Sequence, residues 1–175
     1  PIKAEIPDVD AARQNFDGIT YAKGAAVLKQ LVHYVGRDNF YAGARDYFQE
    51  HAFAAATFDD LLKALKKHTD RDLDAWSQAW LRTWGPDTLI PELHTEGEKI
   101  AELAILAEAE DVCRPHRLTA SLFDADLHKY REIDIDLPAG DDTTRTIIDE
   151  ADGLPAPGLL LLNDADHTYA KIRFD

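Results

Sequence analysis

From Tyr21 to Val35, apolar residues recur at Ala25, Leu28, Leu31, Val32 and Val35, the 3.6-residue period of an amphipathic helix, and Gly36 follows as a stop. Asp38 is a suitable N-cap for a second helix carrying Phe40, Ala44, Tyr47 and Phe48 to His51. Thr57-Phe58-Asp59-Asp60 resembles a capping box, with aspartate in place of glutamate, ahead of Leu61, Leu62 and Leu65. Asp72 or Asp74 caps a fourth helix in which Trp76, Trp80 and Trp84 recur every four residues until Gly85-Pro86, and all three are expected as core anchors. Residues 1–14, with Pro1, Pro7 and no sustained period, read as an extended lead-in. The short connections predict antiparallel helices in a small bundle.

Beyond Gly85-Pro86-Asp87 the period falls to two, and β-branched residues alternate between turn signals. Strands are predicted near 88–94, 99–107, 116–124, 129–137, 143–149, 158–163 and 167–174. Seven short strands of this kind predict an antiparallel β-sandwich. The expected fold class is therefore α+β in two units, a helical one over 1–86 and a sandwich over 87–175.

The charge narrows the partners. Nineteen basic against thirty-three acidic residues give a net charge of −14, which disfavours nucleic acid. The longest aliphatic run, Leu159 to Leu162, is too short to span a bilayer, so no membrane partner is expected. The single cysteine, Cys113, rules out an internal disulfide and fits a reducing, cytoplasmic setting. No methionine occurs, and the opening Pro-Ile-Lys-Ala-Glu-Ile-Pro reads as a piece of something longer.

The candidate chemistry is at the entrance of the first long helix. A tyrosine there sets its hydroxyl near backbone N–H groups and the positive end of the helix dipole, a place suited to an oxyanion. From the residue alone, a core tyrosine capped by a carbonyl is the plainer reading. The segment Asn15-Phe16-Asp17-Gly18-Ile19-Thr20-Tyr21-Ala22-Lys23-Gly24-Ala25 changes that balance. It resembles the catalytic-tyrosine segment of zinc aminopeptidases of the aminopeptidase N type. Residues 72–85 resemble the helix closing their thermolysin-like catalytic domain, and the end of the chain resembles actinobacterial members.

The resemblance implies a part of a metallo-aminopeptidase that removes N-terminal residues from peptides with one zinc ion. It implies that Tyr21 donates a hydrogen bond to the tetrahedral oxyanion, since a phenol with an ordinary pKa of about 10 stays protonated at neutral pH. It makes Phe16 an aromatic wall of the substrate pocket, although a phenylalanine there also serves as a staple onto the helix, and both readings stand. It implies as partners the remainder of the catalytic domain and a helical domain following the sandwich.

The zinc site itself is missing from the pattern. No His-Glu-x-x-His occurs, and no two of the histidines at 33, 51, 68, 94, 116, 128 and 167 are three, four or five residues apart. No metal ligand is therefore assigned here. The ligands are expected before Pro1, and the chain alone is expected to be inactive. Lys23, two residues past Tyr21, points to another face of the helix and is expected in a surface or structural ion pair. Gly18 and Gly24 are expected to permit close backbone approach. No Ser-His-Asp set stands out, and the aspartates at 124, 126, 164 and 166 lack calcium-loop spacing. The competing reading is a non-catalytic scaffold module derived from the same fold, and an intact Tyr21 segment counts against it.

Overall fold

The computed structural model describes residues 6–15 and 18–174 and divides into two compact units, Pro1–Thr83 and Trp84–Asp175. The first is helical. It opens with α1 (Val9–Asn15) where an extended lead-in is expected. Asp8 is the cause: its Oδ1 accepts the Ala11 N–H at 2.7 Å, capping a helix too short to show a period.

Helix α2 (Gly18–Val35) starts three residues before Tyr21, and its buried stripe is rotated from the expected one. Lys23, Val27, Gln30, Leu31 and Tyr34 face inward, whereas Leu28 is 45 % exposed. Spacings of four, three, one and three place these residues on one face, polar heads included. Gly36, at φ 90°, ends α2 and opens α3 (Arg37–Glu50), so the N-cap is Gly36 and not Asp38. A left-handed residue turns the chain between the two helices, and Asp38 falls inside the first turn of α3.

The capping box at α4 (Phe58–Leu65) is complete. Thr57 Oγ1 accepts the Asp60 N–H at 3.2 Å, and Asp60 Oδ2 accepts the Thr57 N–H at 2.8 Å. Asp72 caps α5 (Leu73–Leu81), accepting the N–H groups of Asp74 and Ala75. Lys23 reaches Thr83, and the Tyr34 ring lies 6.5 Å from that of Trp76, so α2 and α5 run antiparallel. Trp76 and Trp80 are wholly buried, and each removes about 150–250 Å² from water, about 4–6 kcal/mol gross. Trp84 departs from the expected core role. Helix α5 ends at Leu81, and Trp84, at the head of the second unit, is 67 % exposed.

The second unit is a β-sandwich. Its strands are β1 (Asp87–Glu96), β2 (Lys99–Glu108), β3 (His116–Phe123), β4 (Lys129–Leu137), β5 (Thr143–Ile147), β6 (Leu159–Leu162) and β7 (Ala170–Ile172). One sheet has the order β5-β2-β1-β7 and the other β4-β3-β6. All pairs are antiparallel except β1 with β7, which run parallel with Asp87 opposite Ala170. Leu89, Leu103 and Ile105 of the first sheet and Leu118, Leu122 and Ile135 of the second share one core. Alternation along the strands puts these residues on the inner faces.

Candidate functional site

Tyr21 stands in the first turn of α2 and is 66 % exposed in this chain. Two residues on, Lys23 is only 3 % exposed. The helical rotation between them is about 200°, so the two side chains leave opposite sides of α2. The Lys23 ammonium donates to the Thr83 carbonyl at 3.2 Å, and the Thr83 hydroxyl donates back to the Ala79 carbonyl. The Lys23 ammonium is thus buried rather than at the surface, and it sits on a carbonyl just past α5, where the helix dipole favours a cation.

Gly18 and Gly24 do not serve close approach, since a Cβ at either would meet nothing within 4 Å. Gly24 instead opens a groove of about 490 Å³ with Val27, Leu28, Phe58 and Leu81. Phe16, the expected aromatic wall, lies outside the described residues.

A second polar cluster lies inside the sandwich, and no local pattern announces it because its members are far apart in the chain. Asp87, Arg114, His116 and Thr168 are all buried. His116 Nε2 is 2.9 Å from Asp87 Oδ2, and its Nδ1 is 2.7 Å from Thr168 Oγ1. The Arg114 guanidinium pairs with Asp87 Oδ1, its backbone N–H donates to Asp87 Oδ2 at 2.7 Å, and its second arm donates to the Trp84 carbonyl at 2.6 Å. A neutral imidazole carrying its proton on Nε2 satisfies both neighbours, donating to the carboxylate and accepting from the hydroxyl. Burial pushes the Asp87 carboxyl up, but the hydrogen bonds from His116 and Arg114 outweigh it and hold the group below its ordinary value. The order hydroxyl–imidazole–carboxylate matches that of nucleophilic hydrolases. With His116 and Asp87 at 0 % exposure and Thr168 at 3 %, it has no path to a substrate and is a structural clasp.

The remaining candidates resolve into local structure. Burial raises the Cys113 thiol, which keeps it protonated and unreactive. Asp124 Oδ1 accepts the N–H groups of Asp126 and His128, and Asp164 pairs with Lys129 at 3.0 Å. Among the described residues no helix is long and apolar enough to cross a membrane.

Residues 1–80 match the model of the Peptidase family M1 domain. Aminopeptidase N of Streptomyces lividans is 43 % identical over 189 aligned residues that cover all of this chain. The chain belongs to peptidase family M1. Tricorn protease-interacting factor F2 of Thermoplasma volcanium is 32 % identical over 57 % of this M1 chain, and aminopeptidase A of Gloydius brevicauda is 32 % identical over 54 %. The M1 chain spans 22 %, 12 % and 10 % of the lengths of these three relatives.

Zinc is the metal this family implies, and the described residues do not fit it. Among them no three His, Cys, Asp or Glu side chains converge as ligands. His68 Nε2, for instance, lies 2.8 Å from Asp46 Oδ2, and that hydrogen bond holds the Asp46 carboxyl below its ordinary value. What the M1 chain offers chemically is a phenol presented at a helix entrance.

Proposed function

We propose that this chain is part of a zinc-dependent aminopeptidase that removes N-terminal residues from peptides, and that Tyr21 is its oxyanion donor. The observation that supports this most directly is the outward placement of Tyr21 on the first turn of α2, within the stretch matching the M1 domain. A phenol there donates a hydrogen bond to the carbonyl oxygen of a scissile peptide as that oxygen gains charge, and the positive end of the helix dipole favours the same charge. In this reading residues 1–86 are the closing helices of a thermolysin-like catalytic domain and 87–175 a following β-sandwich domain. Phe16 borders the pocket for the substrate's first side chain. The zinc ligands, the general base and the groups that hold the free amino terminus lie elsewhere in the parent, as does a helical domain, and the setting is cytoplasmic.

The test is Tyr21→Phe in the full-length enzyme, which keeps the ring and removes the donor. Because the bond forms chiefly once the oxyanion develops, kcat is expected to fall about 10²–10³-fold with little change in KM and unchanged zinc content. Near-normal kcat would refute the assignment.

A further inference from the structure

We infer that Lys23 is a positioning residue for Tyr21, clamping the first turn of α2 to the chain just past α5. This rests on the reading of Tyr21 as the oxyanion donor. A donor of that kind must be held within about 0.5 Å of its working place. The first turn of a helix is a poor mount for it, because its N–H groups lack intrahelical partners and helix ends fray.

Lys23 supplies the missing constraint. Its side chain leaves α2 opposite Tyr21, is buried, and ends on the Thr83 carbonyl. An ammonium is costly to bury unless its donors are met, so the bond to Thr83 fixes one geometry over sliding alternatives. Thr83 is fixed in turn by its hydroxyl on Ala79, and α5 by Trp76 and Trp80, both at 0 % exposure. Placement is thus handed from two buried indoles, through the end of α5 and the Lys23 ammonium, to the turn that carries Tyr21. Lys23 does not act on the phenol directly, since the body of α2 stands between them.

The experiment uses the full-length enzyme with variants Y21F, K23M, K23R and the double variant Y21F/K23M, each checked for zinc content and thermal stability. A displacement near 1 Å can cost about 10²-fold, so K23M is expected to lower kcat about 10–100-fold with KM within about twofold and zinc unchanged. K23R, which keeps the charge and donors, is expected to recover most of that loss. The decisive comparison is the double variant. If Lys23 works through the phenol, K23M causes no further fall in kcat once Tyr21 is phenylalanine. Equal losses in the two backgrounds, or no loss in either, overturn the inference while a depressed Y21F leaves the Tyr21 reading intact. Normal kcat in Y21F overturns both. Should K23M fail to fold, K23Q takes its place in the same comparison, with the same outcomes deciding.

Discussion

His116 donates to Asp87 across 2.9 Å with both side chains wholly buried, and this bond joins the first strand of one sheet to the first strand of the other. The Asp87 carboxyl lies below its ordinary value of 3.8 in the folded chain. Folding therefore favours the carboxylate, and the stability it contributes is complete above 3.8 and is lost as pH falls through the folded value. In Asp87→Asn the buried Arg114 guanidinium loses the carboxylate it pairs with. The expected loss at neutral pH is about 3–5 kcal/mol. Urea unfolding of the two proteins from neutral to acid pH checks both points, since the difference between their stabilities should shrink toward low pH.

Gly43 and Gly24 both lie inside helices, where alanine has the better propensity by about 0.8–1.0 kcal/mol. Their surroundings predict opposite signs. A Cβ at Gly43 would stand 2.8 Å from the Leu65 Cα, which is backbone and cannot turn aside, while one at Gly24 meets nothing within 4 Å. Gly43→Ala is expected to cost about 1–3 kcal/mol by forcing α3 and α4 apart. Gly24→Ala is expected to stabilise by up to about 1 kcal/mol. Thermal melts of the two variants against the unaltered chain give the comparison.

Purified alone, the chain is expected to hold no stoichiometric zinc and to hydrolyse no aminoacyl substrate, because no three ligand side chains converge among its described residues. Elemental analysis finding about one tightly bound zinc per chain would contradict this.

The elements that rest on local chemistry were legible in the sequence. The Thr57 and Asp72 caps work through bonds to residues at most three positions away, and turn signals bound every strand within a few residues of its observed limits. What escaped depends on partners distant in the chain. Hydropathy puts Leu28 inside and Lys23 outside, yet the end of α5 accepts an ammonium and reverses the pattern. Nothing near Asp87 announces His116 and Thr168, which reach it only when the two sheets close. Helix α1 was hidden by its length, with only the Asp8 cap to mark it. For the candidate site, the Tyr21 motif was readable but its orientation was not, since one residue of rotation in the helical stripe decides whether the phenol faces core or solvent.

The parallel pairing of β1 with β7 gives the sandwich a timetable. On the ribosome, at about 5–20 residues per second, Asp87 emerges seconds before Ala170, its partner across the sheet. In that interval β1 has β2 on one side and an open edge on the other, and the buried Asp87 lacks the Thr168 end of its clasp. Hairpins such as β1–β2 and β3–β4 are local and form early, whereas this closure spans nearly the whole unit and must wait. A nascent chain stalled before residue 170 would therefore present β1 with the edge that β7 fills still open.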